Sequence, residues 1–127
     1  MTDRVLRALE SPWVDVLGHP TGRLLLKREG LRLDVDQVMT AAARRGVALE
    51  INCQVDRLDL NDAHARLAQE RGARLVISTD AHSVTALGNL RWGIQMARRA
   101  WATPEVVLNT RSIEELRPLL RRNRPRG

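Results

Sequence analysis

An α/β fold with a parallel sheet is predicted by two features of this 127-residue chain. Short apolar runs typical of buried strands alternate with longer segments in which apolar residues recur at helical spacing. Two of the helical segments are followed by a glycine, Gly46 or Gly72, the residue most often found just after a helix. Strand, crossover helix and strand in repetition favour right-handed βαβ units.

The first half of the chain is predicted to contain two helices and two strands. In chain order they are a helix, a strand, a helix and a strand, over residues 2–10, 14–18, 35–45 and 47–52. The first strand ends at His19, and a polar loop follows it to Gly30. Asp34 is a suitable N-cap for the second helix.

The second half continues the alternation. Asn61 is predicted to cap a helix that ends at Gly72, and residues 73–78 form the third strand. A longer helix begins at Ser83 or Thr85, with Leu87, Leu90, Ile94 and Ala97 at helical spacing, and Thr103-Pro104 begins a turn. Ser112 and Glu115 have the spacing of a capping box for the last helix, which Pro118 is expected to shorten or kink.

The positive charge is concentrated at the C-terminus. The net charge is +6, and five arginines fall within the last eleven residues, without which basic and acidic residues number sixteen and fifteen. We therefore predict a basic, disordered tail over residues 121–127, which either contacts phosphates through charge or is simply solvated. The single cysteine, the absence of a long apolar run and the lack of a signal peptide favour a cytoplasmic protein without membrane association.

Polar residues follow each predicted strand. His19, Asn52, Asp80 and His82 lie at or just beyond the strand ends, where barrel-type α/β folds carry their chemistry. An imidazole and an Asp-x-His pair form the beginning of a divalent-metal site. The structural alternatives are a loop histidine satisfied by backbone and an aspartate that caps the next helix. No glycine-rich nucleotide motif follows the first strand.

Other polar residues on the same face are weaker candidates. Arg23 and Arg57 are predicted to bind phosphate, although salt bridges to nearby acids explain them equally well. Asn52, with Glu50, either hydrogen-bonds a ligand or is a buried polar group tied to backbone. Cys53 is interpreted as a core residue. His64 is assigned to helix packing or the surface.

Several ordered phrases together resemble one family. They are His19-Pro20-Thr21-Gly22-Arg23, Glu50-Ile51-Asn52, Arg57-Leu58-Asp59-Leu60, Thr79-Asp80-Ala81-His82-Ser83 and Ala97-Arg98-Arg99. This set is similar to the PHP (polymerase and histidinol phosphatase) domain of the type fused to bacterial family X DNA polymerases. The resemblance covers residues 1–120, and Val55 departs from the proline usual in that family.

The resemblance implies the C-terminal half of a distorted (βα)₇ TIM-like barrel with a metal centre at the carboxyl ends of its strands. Its implied metal ligands are His19, Asp80 and His82, of which Asp80 and His82 are catalytic, and its implied cofactors are Mn²⁺ or Zn²⁺. The implied activity is metal-dependent 3′-5′ exonuclease action on DNA 3′ ends. Hydrolysis of a small phosphate monoester, as in the histidinol-phosphatase branch, is the alternative within the same class.

The family's remaining ligands belong to an N-terminal half that the 127 residues do not contain. We therefore expect the chain alone to be inactive, and to act with a separately encoded N-terminal half or as a homo-oligomer. A non-catalytic remnant that serves as a binding module is the alternative from another functional class.

Overall fold

The computed structural model describes residues 1–123. Its α-helices are α1 to α5, at Thr2–Glu10, Val35–Arg45, Asp62–Glu70, Leu90–Arg99 and Ile113–Leu116. Its strands are β1 to β3, at Val16–Leu17, Ala48–Asn52 and Leu75–Ser78. Short 3₁₀ helices lie at Thr85–Asn89, Leu108–Thr110, Arg117–Leu119 and Arg121–Asn123.

The three strands form one parallel sheet in the order β1-β2-β3. Strand β2 pairs on both sides, so that Leu49 lies between Leu17 of β1 and Leu75 of β3. The predicted α/β class and parallel sheet are thereby confirmed. A three-stranded sheet fits a fragment of a barrel, but the described residues do not form a closed barrel.

The central strand is the middle of the core. All five residues of β2 are buried, helices α2 and α4 both contact this strand, and α3 packs against both helices. The largest completely enclosed apolar side chains are Leu9, Met39, Leu49, Ile51, Leu60 and Leu75. Because aromatic residues are nearly absent, aliphatic side chains supply the apolar area that stabilises the fold.

The helix ends follow local sequence rules. The Asp34 carboxylate accepts a hydrogen bond from the Gln37 N–H, and the Asn61 side chain accepts one from the His64 N–H. Ser112 and Glu115 form the predicted capping box. Gly46 ends α2 with a left-handed φ of 68°, a conformation that costs glycine little.

The segment after β3 differs from its prediction. Instead of one long helix from Ser83 or Thr85, the chain forms the 3₁₀ helix Thr85–Asn89 and only then α4. Leu87, Leu90 and Ile94 share the predicted helical spacing, yet they are 59, 42 and 39% exposed. Spacing alone predicts which residues share a face, but burial also requires a partner, and the described residues supply none here.

Two further boundaries are adjusted by context. Strand β1 is shorter than its apolar run because only Val16 and Leu17 have partners in the β2 ladder. Helix α5 ends at Leu116, two residues before Pro118, as the proline predicts. A turn begins at Pro104 as expected.

Part of the predicted basic tail lies against the body. The Arg121 backbone N–H donates to Asp15 Oδ1 at 2.6 Å, and its guanidinium donates to the carbonyls of Leu9, Ser11 and Val14. Residues 124–127 of that tail lie outside the described part of the chain. Among residues 1–123, no helix has the length and apolar character needed to cross a membrane.

Candidate functional site at the carboxyl edge of the sheet

The parallel sheet brings the predicted polar residues to one edge. Strand β1 ends two residues before His19, β2 ends with Asn52, and β3 ends two residues before Asp80. Because carboxyl ends of parallel strands share an edge, residues 28 or more positions apart in sequence become neighbours. His82 follows on the same loop as Asp80.

A nearly buried carboxylate connects the three strands. Glu50 is 8% exposed, and its Oε2 accepts the His19 backbone N–H at 2.5 Å. The same oxygen lies 3.3 Å from Asn52 Nδ2, and Oε1 accepts the Ser78 hydroxyl. Glu50 therefore holds the end of β1 against β2 and β3.

The Asn52 side chain positions Asp80. It is completely buried, and its Nδ2 donates to Asp80 Oδ2 at 3.0 Å while its Oδ1 accepts the Gln54 N–H at 3.0 Å. An amide engaged in this way orients a neighbouring carboxylate. Its predicted direct role with phosphate stays a prediction.

The orientation of His82 is set by a backbone carbonyl. His82 Nδ1 lies 2.6 Å from the Asp80 carbonyl oxygen, which also accepts Gln54 Nε2 at 2.5 Å. Because a carbonyl oxygen only accepts, this contact requires the proton on Nδ1. The neutral imidazole then keeps its lone pair on Nε2, the arrangement in which histidine binds metals.

One open pocket contains three of the predicted site residues. Its volume is about 390 Å³, and it is lined by Gln54, Asp56, Arg57, Asp80 and His82. It thus combines carboxylates, an imidazole and a guanidinium within reach of solvent. Both an anionic substrate and a cation find complementary charge in such a pocket.

The two loops that carry predicted ligands have unusual backbone conformations. His19 has a φ of 27° and Asp80 a φ of 50°. Left-handed backbone at a residue other than glycine costs on the order of 1–3 kcal/mol and is concentrated at functional sites. Each of these residues lies just after a strand, so the strain occurs where the candidate ligands are.

The two arginines are attached to each other's loops. Arg23 Nε donates to the Arg57 carbonyl at 2.8 Å, and its Nη2 donates to the Leu58 carbonyl. Arg57 Nη1 lies 3.5 Å from the Arg23 carbonyl. Arg23 therefore fastens two loops together, whereas Arg57 also lines the pocket. Phosphate binding by either arginine stays a prediction.

Sequence reasoning missed the role of Asp59. This carboxylate is completely buried, and its Oδ2 accepts the N–H groups of Thr21 and Gly22 at 3.0 and 2.9 Å. The available signal was an acid between two leucines, Leu58 and Leu60, because a buried acid needs partners. The sequence did not indicate which donors it would find.

Burial shifts the pKa of both Cys53 and His64. Burial, helped by the nearby Glu50 charge, raises the pKa of the Cys53 thiol to about 11, so it stays protonated at neutral pH and fits the core interpretation. Burial also lowers the pKa of His64 below its usual value. His64 Nδ1 is buried without a hydrogen-bond partner among the described residues.

The donors at this edge fit a divalent cation in kind but not in number. Asp80 and His82 offer a carboxylate oxygen and an imidazole nitrogen, the ligands that Zn²⁺ and Mn²⁺ accept. Within residues 1–123, however, no three His, Cys, Asp or Glu side chains are grouped closely enough to enclose an ion. The described residues therefore supply part of a metal site.

Fold and site together define an α/β chain with a polar, strained cluster at the carboxyl edge of a parallel sheet. The chain is 41% identical to the DNA polymerase/3′-5′ exonuclease PolX of Bacillus subtilis over 120 residues, which cover 94% of this chain and 21% of the relative. The match lies in the C-terminal part of that relative. The predicted resemblance to the C-terminal half of a PHP domain of the polymerase-linked type is confirmed.

Other relatives are shorter proteins. A probable phosphatase of Thermoanaerobacter sp. is 27% identical, with 86% of this chain matched to 44% of the relative. A probable phosphatase of Shewanella sp. is 36% identical, with 68% of this chain matched to 34% of the relative. The chain thus spans less than half of each of these three curated relatives, and no protein-family model matches it.

Proposed function

We propose that this chain carries the C-terminal part of a divalent-metal phosphoesterase site whose substrate is the 3′ end of DNA. The observation that carries the proposal is the pocket in which Asp80, His82 and Arg57 meet at the carboxyl edge of the sheet. Similarity to a polymerase/exonuclease and to probable phosphatases supports a phosphoesterase-type role.

Asp80, His82 and His19 are the proposed metal-holding residues. Asn52 fixes the Asp80 carboxylate, and the Asp80 carbonyl holds the His82 ring so that Nε2 is available. When bound, Mn²⁺ or Zn²⁺ would supply an activated water and neutralise charge on the leaving oxygen. Arg57, in the same pocket, is proposed to bind a phosphate oxygen and orient the scissile bond.

Charge near the pocket favours DNA over a small monoester. Arg23, Lys27, Arg28 and Arg32 all lie in the loop that follows His19, and that loop is joined to the pocket through the Leu25 N–H, which donates to the Asp56 carbonyl at 2.6 Å. A polymer of phosphates contacts several such cations at once, whereas a monoester contacts one or two. The probable phosphatases among the relatives make the small phosphate monoester the second candidate.

We propose that the missing ligands come from a polypeptide equivalent to the N-terminal part of the relatives. Exposed apolar side chains support this, because Val84, Leu87, Leu90 and Ile94 are 86, 59, 42 and 39% exposed. In these relatives, the part of the chain outside the match is longer than the matched part. A segment of suitable length therefore exists in them. Until such a segment binds, the chain alone is expected to hydrolyse no DNA.

Metal content tests the ligand assignment. Because the described residues supply only part of a metal site, we expect the chain alone to bind Mn²⁺ or Zn²⁺ weakly, and to lose at least tenfold in metal affinity in Asp80→Asn. The control Asp56→Asn removes the same charge from the same pocket and should keep the ion. Equal retention in both variants would show that Asp80 is not a ligand.

Activity requires the complementing segment. Co-purification with the N-terminal part of the Bacillus relative should produce metal-dependent release of nucleotides from a single-stranded oligonucleotide, and less turnover of p-nitrophenyl phosphate. The reverse preference would favour the monoesterase. Self-association without complementation, followed by hydrolysis, would favour the homo-oligomer. DNA binding without any hydrolysis in the complex would favour the non-catalytic module.

A further inference from the structure

The loop of residues 24–28 has a fully exposed leucine at its tip. An antiparallel bridge pairs Leu24 with Arg28, and their backbone N–H groups donate to each other's carbonyls at 2.9 and 2.8 Å. Leu26 lies between them and has no fraction of its side chain protected from solvent. We call residues 24–28 the tip loop.

Neither local conformation nor burial explains a leucine at this position. Leu26 has a φ of 61°, in a region where glycine and asparagine are at ease and a γ-branched apolar side chain is strained. Its side chain also leaves apolar surface in water without any packing in return. A sequence selected only for folding would place glycine or asparagine here, so the leucine points to a contact made outside the chain.

The tip loop is held in a fixed position beside the proposed site. Its Leu25 N–H donates to the Asp56 carbonyl, and the Arg28 guanidinium donates to the Gly22 carbonyl at 2.8 Å. Asp56 and Arg57 line the pocket that contains Asp80 and His82. The leucine is therefore presented at a set distance from the pocket rather than on a free loop.

Leu26 lies directly beside exposed cations. Lys27 and Arg28 follow it directly, both exposed, and Arg23 and Arg32 flank the loop. The preceding Leu24 and Leu25 are half-buried, and the acidic Glu29 and the 42% exposed Leu31 follow. An exposed apolar side chain next to cations matches the pattern with which proteins unstack bases while binding phosphates.

We infer that the tip loop is a nucleic-acid wedge, in which Leu26 packs against the terminal base of a DNA 3′ end while Lys27 and Arg28 contact the adjacent phosphates. This inference rests on the proposed function, because it names how the same site would receive its substrate. The wedge separates the last base from its neighbour and directs the strand toward the pocket. Leu26 is thus a positioning residue, since it does not touch the reacting bond.

The test is DNA binding by the full chain in EDTA, where no hydrolysis takes place. The probe is a duplex with a short 3′ overhang, labelled for anisotropy and carrying 2-aminopurine next to its 3′ terminus. Wild-type chain should bind and raise the 2-aminopurine fluorescence, because an unstacked base is brighter. Leu26→Asn should bind about tenfold more weakly and produce no such rise, with an unchanged salt slope.

Matched variants separate a wedge from a purely electrostatic contact and from a general change in the surface. Leu26→Met keeps an apolar tip and should behave as wild type, while Ile113→Asn, an equally polar change at an exposed position on α5, should leave binding unaltered. Lys27→Gln should reduce the salt slope by about one and keep the fluorescence rise. Thermal unfolding should show Leu26→Asn at least as stable as wild type, since asparagine tolerates left-handed backbone.

Three results would overturn the inference. They are no DNA binding by the wild-type chain, equal binding and fluorescence in wild type and Leu26→Asn, and a Leu26-dependent interaction with anionic vesicles but not with DNA. Asp80→Asn distinguishes the wedge from the proposed chemistry, because it should lose metal affinity and keep the 2-aminopurine fluorescence rise that is measured in EDTA. If the wedge signal persists while metal binding and complemented hydrolysis are absent even in wild type, the proposed function fails and the wedge stands.

Discussion

The loop of residues 19–23 follows β1, and the buried Asp59 carboxylate accepts hydrogen bonds from its backbone. The loop of residues 79–82 follows β3, and the side-chain amides of Asn52 and Gln54 donate hydrogen bonds to its Asp80. We call them the first and second loops. Thr21 and Gly22 of the first loop are buried or nearly so, while every residue of the second loop is partly or fully exposed.

This difference separates stability from chemistry. Asp59 is enclosed and satisfies two backbone N–H groups in a buried environment, so the first loop is part of the folded core. The second loop makes its contacts at the rim of an open pocket. Changes under the first loop should therefore alter the free energy of unfolding, whereas changes at the second should mainly alter what the pocket binds.

The largest effect is expected from Asp59→Ala. It leaves the Thr21 and Gly22 N–H groups without an acceptor, and at roughly 1–3 kcal/mol for each unsatisfied buried group the free energy of unfolding should fall by about 3 kcal/mol. Urea unfolding measures this, with the exposed Asp56→Ala as control, which should change it by less than about 0.5 kcal/mol.

Hydrogen exchange then sharpens the comparison. In Asp59→Ala the amides of Thr21 and Gly22 should lose protection while the amides of the second loop keep theirs. Equal loss of protection in both loops would mean that the two form one cooperative unit, in which stability and binding are not divided between them.

A smaller loss is expected from Gly93→Ala, on helix α4, which packs against β2 and β3. A Cβ there would lie 2.2 Å from Cys53 Sγ and 2.7 Å from Ile77 Cγ2. Helix propensity favours alanine by up to about 1 kcal/mol, but overpacking of this kind costs roughly 1–3 kcal/mol, and the clash should prevail.

Gly88→Ala is the matched control, because nothing lies within 4 Å of a Cβ at that position. Thermal unfolding should show a lowered midpoint for Gly93→Ala and an unchanged or raised one for Gly88→Ala. A stabilised Gly93→Ala would mean that α4 does not approach β2 and β3 this closely.

The smallest effect concerns pH and His64, which lies close enough to Asp59 to feel its charge. In the folded chain, burial lowers the pKa of His64 below its ordinary value of 6.5. Below pH 6.5 the unfolded chain therefore binds more protons than the folded chain, and stability falls as the solution is acidified. His64→Gln should flatten this decline between about pH 7 and pH 5 in paired denaturation curves. Parallel curves for wild type and variant would remove His64 as a cause.

Much of the secondary structure could be predicted from local sequence. Helix α1 has the bounds predicted for it, Asp34 and Asn61 cap their helices, and Ser112 with Glu115 forms the capping box. These features depend on hydrogen bonds between residues at most three or four positions apart, which the sequence displays directly. The long helix predicted after Ser83 is wrong in its first part, because residues Thr85–Asn89 form a 3₁₀ helix and α4 begins only at Leu90.

The candidate site could be predicted in its members but not in its connections. That polar residues follow each strand of a parallel α/β fold is evident from the chain alone, because strand ends and residue types are local properties. The three-dimensional fold was needed to show that Glu50 ties β1 to β3, that Asn52 holds Asp80, and that Asp59 carries the first loop. Those partners are separated by 28 to 38 residues, and only strand order and register bring such distant groups within hydrogen-bond distance.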